Sequence, residues 1–238
     1  MQRKIGFYEK YVKRAMDIIC FLIAVICFSW LIAAIAVLVK VKLGSPVIFT
    51  QPRPGRIDPK TGQEKIFYLY KFRTMTEERD KNGNLLPDEI RLTKFGKALR
   101  ATSLDELPEI VNILRGELSL VGPRPQLVRD MVFMTPEQRM RHTARPGLSG
   151  LAQVSGRNAI SWENKLEIDL KYVRNVTFWG DIKIIAQTVI KAFIKREGIT
   201  ENNMATAEDF GDYLLRKGDI KQEYYEEKQR EARQLLEA

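Results

Sequence analysis

From Ile18 to Val39 the chain reads IICFLIAVICFSWLIAAIAVLV, 22 residues without a charge, bounded by Asp17 and Lys40. At 1.5 Å per helical residue the run spans about 33 Å, enough to cross a hydrocarbon core of about 30 Å. It is too long for a cleavable signal, and no small-residue cleavage site precedes the charged sequence that follows. Arg3, Lys4, Lys10, Lys13 and Arg14 lie before it, and Lys40, Lys42, Arg53 and Arg56 after it, so both flanks carry the cytoplasmic charge signature. Two arrangements fit basic flanks on both sides: a re-entrant helix that enters one leaflet, bends and returns, or a single-span anchor with a short basic tail. The middle of the run holds no Pro or Gly, and only Ser29 can weaken it, by bonding back to a carbonyl. Cys20 and Cys27 both sit inside the run as small hydrophobes, which excludes a disulfide framework or a zinc site.

Outside this run the chain is ordinary. It has 238 residues, and 39 Lys plus Arg against 30 Asp plus Glu give +9. With a mean hydropathy of −0.26, that describes one domain with attachments and excludes a multi-pass membrane protein, collagen or wholesale disorder. The reading divides the chain into a basic N-terminus and membrane helix (1–40), a catalytic domain (41–200) and a charged helical C-terminal extension (201–238). A strand is expected from Val47 to Gln51, a Pro/Gly turn through Pro52, Pro54 and Gly55, and a second strand from Lys65 to Arg73. Helices are expected from Leu92 to Arg100, from about Asp105 to before Gly116, and over Gln126 to Met134, Ser161 to Asn175 and Phe178 to Arg196. The last carries an apolar stripe that suits either a bilayer surface or the domain core. The extension, ending KQEYYEEKQREARQLLEA, reads as a solvated helix or a partner-binding element, including a homodimer contact. The expected class is α/β, mainly α: a membrane-inserted N-terminal helix, then a compact, largely helical domain with a short β-hairpin and interfacial amphipathic helices.

Chemistry falls to carboxylates and cations, because the one histidine, His142, has no ligand partners at useful spacing and reads as a surface or hydrogen-bonding residue. In Ser103-Leu104-Asp105-Glu106-Leu107-Pro108 two adjacent carboxylates open a helix. Ser103 with Glu106 fits a capping box, while Pro108 favours a start one or two residues later, with Asp105 near the cap. Either way the helix dipole and nearby Arg100 should keep the acids ionised, able to attack phosphorus or bind Mg²⁺; an acidic cap with no further role fits the same spacing. Pro123-Arg124-Pro125 stiffens a turn around a guanidinium, as bidentate phosphate binding requires. Lys71 and Arg73 are expected on one side of the second strand as a paired cationic site. Arg145 and Arg157 add arginines in glycine turns. Together these groups suit phosphates. Nucleic acid is not expected, since no reader motif is present; an anionic lipid surface suits the basic charge.

Quoted in order, Lys13-Arg14-x-x-Asp17, Phe49-x-Gln51-x-Arg53-x-Gly55, Lys71-Phe72-Arg73-Thr74-Met75, Ser103-Leu104-Asp105-Glu106-Leu107, Val121-Gly122-Pro123-Arg124-Pro125, Arg145-Pro146-Gly147 and Gly156-Arg157-Asn158-Ala159-Ile160-Ser161-Trp162 resemble the bacterial sugar transferases, specifically the small monotopic phosphoglycosyl transferases. The layout is most similar to the enzyme that begins bacterial N-glycan assembly on undecaprenyl phosphate. The resemblance implies Asp105 as nucleophile on a UDP-sugar, a phosphosugar-enzyme ester, release of UMP, and transfer to undecaprenyl phosphate. It implies Glu106 as a Mg²⁺ ligand, with Lys71, Arg100, Arg124, Arg145 and Arg157 on phosphates or uridine. It also implies a re-entrant anchor and an active site on the cytoplasmic face of the bacterial inner membrane. One departure is Ser29-Trp30, where the family commonly has Ser-Pro and a helix bend. The alternatives are a non-catalytic membrane-bound basic module and an enzyme in which the acceptor attacks directly without an adduct.

Overall fold

The structure is a computed structural model, describing residues 3–156, 160–191 and 208–237. A single π turn, Tyr8–Val12, leads into helix α1, Lys13–Leu43. An antiparallel hairpin follows, β1 (Ile48–Ile57) with β2 (Glu64–Phe72). Short helices α2 (Asp88–Arg91) and α3 (Lys94–Ala101) precede a 3₁₀ turn, Leu104–Glu109, and α4 (Ile110–Arg115). Next come β3 (Ser119–Val121), α5 (Val128–Met131), α6 (Pro136–Arg139), a 3₁₀ turn at Met140–Thr143, and β4 (Gly147–Ser149). Then α7 (Leu151–Ser155), α8 (Trp162–Arg174) and α9 (Phe178–Val189) complete the central part. The C-terminal pair is α10 (Phe210–Lys217) and α11 (Gln222–Glu237). The fold is mostly helical, with a long apolar N-terminal helix and a hairpin.

Several boundaries differ from the sequence expectation. Pro52, Pro54 and Gly55 are no turn: β1 continues through them, pairing Pro52 with Tyr68 and Pro54 with Ile66, with a bulge before Ile57. Each Pro sits on an edge strand, where its missing N–H costs no ladder bond. Of the Gln126–Met134 helix only α5 forms, because Val132, Phe133 and Met134 turn inward to a core with Val128, Met131, Trp162 and Leu166. Helix α3 starts at Lys94, capped by Thr93, whose side chain accepts from the Gly96 amide, and Leu92 instead bridges to Met75. Beyond Lys191 the expected Phe178–Arg196 helix lies outside the described residues. The C-terminal extension is not a freely solvated helix. Phe210 and Ala232 are buried in the α5 core, Phe133 stacks on Tyr225 at 5.6 Å, and the Phe210 amide donates to Asp130 Oδ1 at 2.8 Å.

Helix α1 includes a segment long and apolar enough to cross a membrane, with mean hydropathy 3.0 and 6% of that window buried. Yet both of its ends are fastened to the globular part. At the N-terminal end Lys13 pairs with Asp181, Arg14 donates to the carbonyls of Ile113 (2.6 Å) and Leu114 (2.8 Å), and Phe21 packs with Phe67 and Leu118. Asp17 is fully buried and accepts from Ser119 Oγ and the Leu120 amide, both at 2.9 Å. At the other end Ile35 and Val39 are buried against Phe72 and Leu99, and Arg73 donates to the Leu43 and Ser45 carbonyls. Between these ends Ile23, Ile26 and Trp30 are exposed. The basic residues just before the apolar run are therefore partly structural: Lys13 is 5% exposed.

Candidate active site

The 3₁₀ turn Leu104–Glu109 lies against β2 and carries both acids. Leu104 and Leu107 anchor it by packing into the cluster formed by Ile35 and Val39 of α1 with Phe72 and Leu99. Asn112, fully buried on α4, ties it to the hairpin from below, donating to the Tyr68 carbonyl at 2.7 Å and accepting from the Tyr70 amide at 3.1 Å. The capping box does not form. Ser103 enters the turn in the left-handed region (φ 56°) with no side-chain cap, a conformation costing about 1 kcal/mol or more for a non-glycine residue. Glu106 points instead to two cations. Its Oε1 accepts from Lys71 Nζ at 2.7 Å and from Arg124 Nη2 at 2.5 Å.

These neighbours set the charges. Burial and then the charge of Glu106 push the Asp105 carboxyl up to about 6, against the pull of Lys71, Arg100 and Arg124. The helix dipole thus does not keep this acid at the usual carboxylate value, because a buried position outweighs a terminal dipole. Burial acts on Glu106 too, but Arg124 and Lys71 together hold it well below the usual range. The two acids are pushed apart, the pattern expected when adjacent carboxylates take different roles. A third acid, Glu109, is 2% exposed, pushed up by burial and then by Glu106, and sits 3.3 Å from Lys71 Nζ.

Arg124 is placed by its main chain. The Gly122 amide donates to the Ser149 carbonyl (2.8 Å), and the Gly147 amide to the Pro123 carbonyl (3.0 Å), extending the parallel β3–β4 pair. Arg141 Nη2 donates to the Arg124 carbonyl at 2.6 Å, and Arg53 Nη1 to the Pro125 carbonyl at 3.1 Å. Arg141 is 1% exposed and held by Asp169 Oδ2, at 3.0 Å from Nε and 2.6 Å from Nη2. Its Nη1 also faces His142 Nε2 at 3.1 Å. A guanidinium only donates, so Nε2 accepts and the imidazole proton sits on Nδ1, 3.0 Å from Glu64 Oε1. Burial pushes His142 down to about 4, while bonds from His142 and Arg139 hold Glu64 at about 2 despite its own burial. His142 is thus a hydrogen-bonding residue, but an interior one, 2% exposed.

Of the residues singled out in the sequence, the structure gathers Lys71, Asp105, Glu106 and Arg124. Arg100 lies close enough to act on Asp105 and donates from Nε to Thr74 Oγ1 at 3.0 Å. Lys71 and Arg73 do not form a pair: β2 ends at Phe72, and Arg73 turns back to the end of α1. Arg145 faces Asp17 at 3.9 Å, beside the start of α1. Arg157 lies outside the described residues. Sequence reasoning passed over Glu109, Asn112 and Arg141, and gave Arg53 no role in the site. Beside the dyad an apolar groove of about 380 Å³ runs between Val25 and Ile32 of α1 and Leu107, Pro108, Val111 and Leu114.

Residues 8–195 match the family described as bacterial sugar transferase. The chain is 50% identical over 198 residues to the uncharacterized sugar transferase EpsL of Bacillus subtilis (strain 168), an alignment covering 83% of this chain and 95% of that protein. It is 40% identical over 194 residues to the UDP-glucose:undecaprenyl-phosphate glucose-1-phosphate transferase of Klebsiella pneumoniae, covering 77% of this chain and 40% of that one. Identity is 36% over 187 residues to the UDP-N-acetylgalactosamine-undecaprenyl-phosphate N-acetylgalactosaminephosphotransferase of Aeromonas hydrophila, covering 75% and 43%. The chain thus spans less than half the length of these last two relatives.

Proposed function

This chain belongs to the bacterial sugar transferase family, and from that premise we propose that it transfers phosphosugar from a UDP-sugar to undecaprenyl phosphate, releasing UMP. The product, undecaprenyl-diphosphate-sugar, opens glycoconjugate, exopolysaccharide or capsule assembly. One observation carries the reading: a buried carboxyl poised near 6, Asp105, adjoins an acid that grips Lys71 and Arg124, with an apolar groove alongside. In the proposed chemistry an ionised Asp105 oxygen attacks the sugar-linked phosphorus. The bond from that phosphorus to the bridging oxygen breaks, and UMP leaves with the oxygen. An oxygen of the acceptor phosphate then attacks the same phosphorus and displaces the Asp105 carboxylate. Lys71, Arg124 and Arg100 stabilise the phosphate charge throughout.

Mg²⁺ fits this site in the manner usual at phosphates, by one or two carboxylates plus substrate oxygens. Among the described residues no group of three or more His, Cys, Asp or Glu could hold a metal alone. Glu106 would therefore hold it together with the donor's phosphates, where its charge offsets theirs. The groove receives the first isoprene units of the acceptor, bringing its phosphate towards Asp105. The decisive experiment incubates purified protein with a panel of sugar-labelled UDP-sugars, Mg²⁺ and undecaprenyl phosphate. Release of UMP with one or more sugars is expected and identifies the sugar; no UMP from any overturns the reading.

The anchor is re-entrant in this proposal, with the active site on the cytoplasmic face. Both ends of α1 are bonded to one charged body, so a straight crossing would draw that body, including Asp181 and Arg73, into the bilayer. Near the middle of the helix Trp30 Nε1 donates to the Cys27 carbonyl at 2.9 Å. Phe7, Tyr11 and Trp179 are exposed on neighbouring elements joined by the Tyr8–Phe178 edge contact, a surface suited to anionic lipid headgroups alongside Lys10. Single cysteines, Lys4→Cys and Lys60→Cys, in a Cys20→Ser, Cys27→Ser background should both resist an impermeant thiol reagent in intact cells. Labelling of Lys4→Cys alone from outside would mean a full crossing.

A further inference from the structure

Glu106 sits between two cations of the candidate site, Lys71 and Arg124. The bonds to Glu106 from Lys71 and Arg124 converge on one oxygen, Oε1, as two cations would converge on a phosphate oxygen. We propose that Glu106 is an internal stand-in for the donor's phosphate: binding of a diphosphate exchanges partners, the anion taking Lys71 and Arg124 while Glu106 swings free, where it would be available to hold Mg²⁺. This rests on the transferase reading only for the identity of the diphosphate.

Three features make the exchange possible without collapse of the site. Arg124 is held through its main chain by Arg141 and Arg53, not through Glu106, and its side chain is 39% exposed, so a ligand reaches it. Lys71 has a second acid, Glu109, buried at 3.3 Å, whose Oε1 has no hydrogen bond among the described residues. When Glu106 departs, Glu109 remains to aim the ammonium. Moreover, exchanging one carboxylate for another anion leaves both cations paired, so neither is stranded in a poorly solvated place.

The test measures binding, with metal removed. Inorganic pyrophosphate and UMP are titrated calorimetrically in EDTA into the wild type, Glu106→Gln, Glu106→Ala and Asp105→Asn, each checked for an unchanged thermal transition. Glu106→Gln frees both cations, so pyrophosphate should bind at least about tenfold tighter than to the wild type. Glu106→Ala carries the same expectation and serves if the amide disturbs the turn. Asp105→Asn removes the same charge from the same site, but Asp105 acts on the cations only through space. Its gain should stay below about threefold. Unchanged or weaker pyrophosphate binding by both Glu106 variants overturns the proposal, and so does an equal gain in Asp105→Asn, which would reduce the effect to net charge. If pyrophosphate binds tighter as expected while UMP binds to none of the four, the exchange stands and the nucleotide donor is wrong.

Discussion

Asp105→Asn should lower turnover by at least about 10³-fold and abolish any covalent phosphosugar on the protein. Asparagine keeps the shape of the side chain but offers a carboxamide oxygen, which cannot form the phosphate ester. The comparison is clean because the native acid does not stabilise the fold by being charged. Burial and Glu106 raise its carboxyl to about 6, so although the group is ionised at neutral pH its charge costs the folded state stability relative to the unfolded chain, and the neutral amide should keep or raise the thermal transition. The measurement is intact mass after acid quench, with UDP-sugar and Mg²⁺ but no acceptor: one added sugar phosphate on the wild type, none on the variant. The same raised carboxyl predicts the acid limb of kcat/KM. Activity should be half-maximal near pH 6, fall below it as the carboxylate is protonated, and reach its plateau about one pH unit above. Turnover by the wild type with no adduct under any quench would favour direct attack by the acceptor phosphate. An adduct on Asp105→Asn would move the nucleophile elsewhere.

Gly147→Ala should destabilise the protein by more than about 4 kcal/mol and remove activity with it. A Cβ at Gly147 would lie 2.0 Å from the Gly122 nitrogen and 2.6 Å from Gly122 Cα. The obstruction is backbone on both sides, so no side chain can move aside: a Cβ on Gly122 would in turn meet the Arg145 carbonyl at 2.3 Å. This contact is where β3 and β4 approach, and the chain leaving β3 becomes the turn that carries Arg124. Separating the strands therefore displaces the guanidinium from Glu106 and Lys71. Denaturation monitored by circular dichroism in detergent measures the effect, with Gly6→Ala as control, since nothing lies within 4 Å of a Cβ there. A Gly147→Ala protein with native stability and native UMP release would contradict this account of how the arginine is placed.

How much of this could be read from the chain differs by element. The apolar run needed only its length, because helix rise and bilayer thickness are constants. Asp105, Glu106, Lys71 and Arg124 stood out because each lies in a local pattern: adjacent acids, a strand alternation, an arginine between prolines. The same local reasoning failed where a distant partner outbid it. Ser103 and Glu106 have capping-box spacing, yet Glu106 gains two charge-assisted bonds from Lys71 and Arg124, worth more than one cap. Pro52 and Pro54 read as a turn, but their strand is paired on one side only. His142 read as a surface or hydrogen-bonding residue and Arg141 was passed over; both are buried, which Glu64 and Asp169, remote in the chain, make tolerable.

The one-dimensional chain thus determined the long apolar helix, the family, and the acids and cations that the proposed chemistry uses, since these follow from composition, period and local spacing. Only the folded molecule decided which cations face which acid, that Glu109 joins them, and that Arg124 is gripped from behind by Arg141 and Arg53. It alone fastened both ends of α1 to one body. These are contacts between segments far apart along the chain, and their energies depend on burial and mutual geometry, which no local pattern encodes.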